Sequence, residues 1–260
     1  MKLGIEDHVY LDSPLHRWEP RYKLVGLTLV IFGFSFVQDL RLLPAMLAVT
    51  LTLYVASRLP LAFLLARLRY PGFFLLFLAL LLPWLSGDTV LLRLGPLALR
   101  QEGCLELLLI VVKFVSILTL SLVLFGSAPF LTTIKAMRAL GLPAVLADMT
   151  LLSYRYLFEI GGDLQRMQTA MGLRGFHAHR PNRRTLDVLA SLAGSILVRS
   201  YERSERVYKA MLLRGYGRSD KLPAQDEFQT HPRDVVALGA AILVAAGFVV
   251  AEMSLRGGAP

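Results

Sequence analysis

Residues 105–126 read LELLLIVVKFVSILTLSLVLFG, twenty-two positions in which only Glu106 and Lys113 carry charge. A helix needs about 20 apolar residues to cross a hydrocarbon core of about 30 Å, so this stretch predicts a transmembrane helix. Working outward, shorter apolar runs lie at about 22–37, 42–56, 71–85 and 235–251. The turn Gln38-Asp39-Leu40-Arg41 separates the first two runs. Residues 57–70, with Arg58, Arg67 and Arg69 beside an apolar face, predict an amphipathic helix lying on the membrane surface. In the last run, Gly239, Ala240, Ala246 and Gly247 are expected to allow close helix packing.

Of the 260 residues, 55% are hydrophobic, above the 45–50% or so of an average soluble domain. The net charge is +9, but Lys and Arg gather between the apolar runs, as expected when basic loops remain in the cytosol. Membrane topology therefore accounts for the basic bias, and no nucleic-acid partner is expected. Between residues 127 and 233 there are 16 Lys or Arg against 9 Asp or Glu, and no apolar run of comparable length. That region and the N-terminus are expected to be cytosolic, with Trp18 near the headgroups. No cleaved signal peptide is visible at the N-terminus.

These runs predict an all-α fold, a polytopic helical membrane bundle of about five spans with a cytosolic domain of long helices. Residues 1–126 form the lead-in and first four spans, 127–233 the cytosolic domain, and 234–260 the last span and tail. In the cytosolic domain a helix over 131–140 stops at Gly141-Leu142-Pro143. A long helix follows over 144–173, interrupted only at Gly161-Gly162. A second runs over about 185–213 and carries i,i+4 ion pairs such as Glu202–Arg206.

The two long helices end alike. Ala170-Met171-Gly172-Leu173-Arg174-Gly175-Phe176 is matched forty positions later by Ala210-Met211-Leu212-Leu213-Arg214-Gly215-Tyr216. Arg166 and Arg206 extend the match upstream. Part of the pattern is helix termination, since Gly accepts a left-handed backbone and Arg complements the helix dipole. Capping does not require the Ala-Met pair, nor an aromatic after both glycines. The doubled set Ala170, Met171, Arg174, Gly175 and Ala210, Met211, Arg214, Gly215 therefore points to two equivalent docking ends. In each, a deformable Met and a forked Arg would fit an apolar groove with an acidic rim on a partner protein.

Lys113 lies inside the clearest span. There a charge usually faces the bundle interior or water, which makes Lys113 a possible intramembrane functional residue. Equally, it lies about two turns from the helix start and can snorkel. The five histidines have no metal-site spacing, His177-x-His179 lacking a third ligand. The single cysteine, Cys104, excludes an internal disulfide. No phosphate-binding Gly-rich lysine loop, zinc-protease motif or nucleophile elbow is present, so no catalytic residue, metal site or resident cofactor is expected.

Three stretches resemble the transmembrane T component of energy-coupling factor (ECF) transporters, and are most similar to the cobalt-type CbiQ family. They are Leu11-Asp12-Ser13-Pro14-Leu15-His16-Arg17 with Pro20-Arg21-Tyr22-Lys23; Leu140-Gly141-Leu142-Pro143 with Ser153-Tyr154-Arg155-Tyr156-Leu157-Phe158; and Ser200-Tyr201-Glu202-Arg203 leading into the second repeat. The family's doubled element is usually Ala-Arg-Gly, and Leu173 and Leu213 stand here in place of that alanine. The resemblance implies a scaffold in a bacterial or archaeal cell (inner) membrane that links two cytosolic ABC ATPase subunits to a membrane-embedded substrate-binding S component. Arg174 and Arg214 would be the arginines inserted into the ATPase grooves. ATP and Mg would reside in the ATPases and cobalt or nickel in the S component, with no enzyme activity in this chain. A T component serving a vitamin-binding subunit is the alternative. A membrane-anchored nucleic-acid binder and a membrane enzyme are the readings from other classes.

Overall fold

The computed structural model describes residues 15, 18–85, 90–94, 97–176, 182–216 and 230–257. The lead-in motif other than Leu15, Asp88 and the His177-x-His179 pair lie outside the described residues. The chain divides into two compact units, residues 141–227 and residues 4–140 with 228–260.

In the larger unit, α1 (Pro20–Phe36) starts where Pro20 takes a first-turn position that lacks an N–H partner in any case. A 3₁₀ turn (Leu40–Leu42) leads into α2 (Leu43–Ser57). The next helix, α3 (Leu61–Leu85), runs unbroken. Sequence reading divided this stretch into a surface helix and a span meeting at Pro71. Instead Pro71 lies inside one helix, where the missing hydrogen bond is outweighed by two long apolar arms. A short antiparallel hairpin, β1 (Val90–Leu94) and β2 (Leu97–Arg100), is the exception to the all-α fold. Then come α4 (Gln101–Gly126), α5 (Phe130–Ala139) and, from the far end of the chain, α8 (Pro232–Gly257).

Among the described residues, three segments, 40–57, 103–126 and 232–255, are long and apolar enough to cross a membrane by length and composition. α1 has 17 residues, about 26 Å of helix, and packs in their midst. Its main partner is α8. The ascending pairs Trp18–Asp234, Gly26–Ala241, Gly33–Ala245 and Gln38–Glu252 show that the two helices run parallel. A Cβ on Gly33 would lie 3.2 Å from the Ala245 Cα and carbonyl oxygen, and one on Gly26 3.1 Å from the Ala241 Cβ. The close seam therefore belongs to Ala241 and Ala245. Gly239 and Gly247 have open space around them and Ala240 and Ala246 are exposed, so the expected small residues sit on other faces of the right helix.

Around the seam, Phe34 and Phe248 meet edge to face at 5.0 Å, in a core with Val30, Met46 and Leu120. A second cluster joins Leu15 and Leu27 to Leu59, Val123 and Leu124. α5 packs on α1, so the division between units falls at Leu140/Gly141, after α5, whereas charge distribution alone places it at residue 127.

Buried polar groups fasten both ends of α1. At its start the Asp234 carboxylate accepts from the backbone N–H groups of Glu19 (3.2 Å) and His231 (3.0 Å). Nearby, the ammonium of Lys23, 2% exposed, donates to the carbonyls of Leu15 (3.3 Å) and Ser127 (3.0 Å). At its other end Lys113 donates to the Val37 carbonyl (3.0 Å). The Glu252 carboxylate there accepts from the N–H groups of Gln38 and Asp39 (3.0 and 3.2 Å). A turn among apolar helices has no water to satisfy its backbone, and these two charged side chains do so.

The smaller unit is a hairpin of two long helices, α6 (Ala144–Leu173) and α7 (Arg183–Leu213). Gly161-Gly162 does not interrupt α6. Each glycine costs about 1 kcal/mol relative to Ala, too little to break a helix already propagating on both sides.

Candidate functional site

The ends of α6 and α7 adopt the same backbone. Arg174 has φ −85° and ψ 9°, and Arg214 has φ −87° and ψ 5°. Gly175 and Gly215 both have φ +84°. The N–H of Phe176 donates to the Met171 carbonyl and that of Gly175 to the Gly172 carbonyl, both at 3.0 Å. In the second copy Tyr216 donates to Met211 and Gly215 to Leu212, again at 3.0 Å. These bonds close a Schellman cap on each helix, and the left-handed residue is glycine for its backbone. Space is not the reason, since a Cβ at either glycine would meet nothing within 4 Å.

The cap leaves the side chains before it pointing away from the helix body. Leu173 is 86% exposed and Leu213 is 90% exposed. Arg174, Arg214, Ala170 and Ala210 are also exposed, and Met171 and Met211 are half-buried. Two near-fully exposed leucines at one register position, each followed by an exposed Arg, make an apolar knob with a cation beside it. Such a knob is complementary to a pocket with an acidic edge. The upstream arginines also correspond, each held on its own helix: Arg166 by Asp163 and Arg206 by Glu202 at 3.9 Å.

Cross-helix contacts set the two ends apart. The Tyr216 hydroxyl donates to the Asp148 carboxylate at 3.2 Å, so α7 finishes beside the start of α6. From Asp148 to Leu173 the rise of α6 is about 38 Å, and this is the approximate separation of the two knobs. Between them Arg203 of α7, half-buried, reaches Glu159 (3.3 Å) and Asp163 (3.2 Å) of α6. The hydrogen bond from Arg166, then the charge of Arg203, holds the Asp163 carboxyl below its ordinary value. Sequence reading identified the intrahelical pair Glu202–Arg206 and missed this clamp, because a cross-helix partner leaves no local spacing signal.

The eight repeat residues thus gather as two separate sets of four, one per helix end. Lys113 belongs to neither and bonds within the larger unit. Among the described residues no group of three or more His, Cys, Asp or Glu is placed to hold a metal ion.

The family model described as cobalt transport protein, CbiQ, matches residues 12–223. Full-length relatives include the energy-coupling factor transporter transmembrane protein EcfT of Heliobacterium modesticaldum, 28% identical over 93% of this chain and 96% of its own. The EcfT of Limosilactobacillus fermentum is 26% identical over 95% of this chain and 96% of its own. A putative fused cobalt transport protein CbiMQ of Methanocorpusculum labreanum is 26% identical over 50% of this chain and 21% of its own.

Proposed function

This chain belongs to the CbiQ family and is the multi-pass transmembrane T component of an energy-coupling factor transporter; on that premise we propose that it is the force-transmitting scaffold of a cobalt or nickel importer. It joins two cytosolic ABC ATPase subunits to a membrane-embedded metal-binding S component. It performs no catalysis of its own. ATP is hydrolysed in the ATPases, and the transported ion is bound by the S component.

The observation that carries the reading is the doubled, superposable helix end with its exposed Leu-Arg pair. Equivalent knobs about 38 Å apart suit one groove on each of two equivalent ATPase subunits. Each arginine would meet carboxylate or carbonyl acceptors in its groove, and each leucine would fill the apolar floor. Closure of the ATPases on ATP pulls the two knobs together, and the α6–α7 hairpin turns that movement into a changed crossing angle. The clamp of Arg203 on Glu159 and Asp163 sits at the crossing. The S component then tilts or releases its ion. In this arrangement the N-terminus and residues 127–233 face the cytosol.

Cobalt is favoured by the family's description and by the fused relative's name, both of which state cobalt transport. The EcfT relatives' names state an energy-coupling factor transporter and no substrate, and a vitamin-binding S component is the second reading.

Arg174→Ala and Arg214→Ala test the coupling. Each single variant should weaken co-purification with the ATPases while still inserting in the membrane. The double variant should lose nearly all uptake, and normal uptake by it would sink the proposal. Metal analysis of the purified complex separates the two substrate classes.

A further inference from the structure

A cavity of about 1270 Å³ opens in the larger unit between α2 and α8, with α1 as its floor. Its wall is apolar: Leu27 and Val30 from α1, Val49 and Leu53 from α2, Ala241 and Val244 from α8. Its mouth is not. Arg58, at the end of α2, and Arg233, at the start of α8, both line it, with the indole of Trp18 beside them. The Asp234 carboxylate at this mouth is buried and already accepts from two backbone N–H groups. Among the described residues, neither the Arg58 nor the Arg233 guanidinium has an ion-pair or hydrogen-bond partner. Two unmatched cations therefore stand over an apolar slot, at the end of the bundle where spans meet the membrane boundary.

The backbone adds an independent sign. Arg58 is the one described non-glycine residue in the left-handed region, at φ 53°. Such a conformation costs an ordinary side chain about 1–2 kcal/mol, and glycine or asparagine would adopt it more readily. Strained positions of this kind gather at ligand-holding sites.

We propose that this groove holds one anionic phospholipid, its phosphate gripped by Arg58 and Arg233 and an acyl chain lying along α1 between α2 and α8. A basic pocket between spans at the membrane boundary recognises an anionic head group, and a forked guanidinium matches phosphate geometry. A free anion would meet the mouth alone and leave the apolar slot unfilled, whereas a phospholipid matches both. The lipid fills space that α2 and α8 leave open, completing the packing around α1 where the close α1–α8 seam begins.

The test uses the full chain without its partners, so its outcome is separate from that of the coupling proposal. Native mass spectrometry of the detergent-solubilised chain, supplied in turn with phosphatidylglycerol and phosphatidylcholine, counts retained lipid. One phosphatidylglycerol should stay bound per chain, in preference to phosphatidylcholine. Arg58→Gln and Arg233→Gln should each weaken its retention about tenfold, the loss of one charge-assisted contact. Ala240→Trp, which narrows the apolar slot about two helical turns along α8 from Arg233, should exclude the lipid with both arginines intact. Equal retention of the two lipids overturns the proposal even if every variant misfolds. So does displacement of the lipid by millimolar inorganic phosphate, or unchanged retention in a folded Ala240→Trp chain.

Discussion

Asp163 shows how one residue in the α6–α7 hairpin can be read by titration. The hydrogen bond from Arg166, with the Arg203 charge behind it, lowers its folded-state pKa. A carboxyl with a lowered folded value contributes stability that is fully present above its unfolded value and is lost as pH falls through the folded one. The α6–α7 clamp should therefore hold from neutral pH to about 5, and weaken only below about pH 4. Hydrogen exchange of peptides across residues 159–166, corrected for intrinsic rates, measures this. Protection should fall in acid for the native chain, and the step should shrink in Asp163→Asn. A native chain equally protected at pH 3 would show that Asp163 does not secure the crossing. At this scale the doubled AMxLRG(F/Y) was legible, because a cap writes its glycine and its last-turn arginine into consecutive positions. Arg203's bonds to Glu159 and Asp163 were not, because residues some forty positions apart meet only when two helices cross.

Element boundaries followed from composition more readily than element faces did. The long helix over 144–173 coincides with α6, and the apolar run at 105–126 lies within α4. Hydropathy and stop signals fix such limits. Which side of α8 meets α1 is another matter, since a helix that is apolar all round carries no periodic signal to mark a buried face. The seam became visible only through Gly26 and Gly33 on the partner helix, whose missing Cβ atoms let the α8 backbone approach. Gly33→Leu should therefore push α8 away and destabilise the bundle by about 1–3 kcal/mol. Gly247→Leu is the control, because its Cβ enters open space on the same helix that Gly33 touches. Thermal unfolding in one detergent should show a lower Tm for the first variant alone. Equal effects of the two would mean that the seam carries no packing energy. The partner of Lys113 likewise lies on another element, the α1–α2 turn. The Val37 carbonyl there accepts from the Lys113 ammonium, a contact 76 positions away that no local spacing encodes.

For the molecule as a whole, the proposed force transmission would require two knobs on one stiff body, far enough apart to reach two ATPases. Both requirements follow from the hairpin. Tyr216 anchors the end of α7 beside Asp148, and α6 carries its own end about 38 Å away. A distance of this size is measurable by electron–electron resonance between spin labels. Gly172→Cys and Leu212→Cys place labels at one matched position outside the Leu-Arg pairs: a Cβ at Gly172 meets nothing within 4 Å, and Leu212 is exposed. The native chain has one cysteine, Cys104, so Cys104→Ser leaves no competing label site. In the isolated chain the distribution should centre at about 40 Å, broadened by the label linkers. With ATPases and a non-hydrolysable nucleotide bound, it should shift to shorter distance by several ångström, because closure draws the two grooves together. Arg174→Ala with Arg214→Ala should abolish the nucleotide-dependent shift and leave the resting distance in place. A resting distance near 40 Å with no shift in the native complex would leave a rigid strut, and the hairpin could then not be the moving part of an importer.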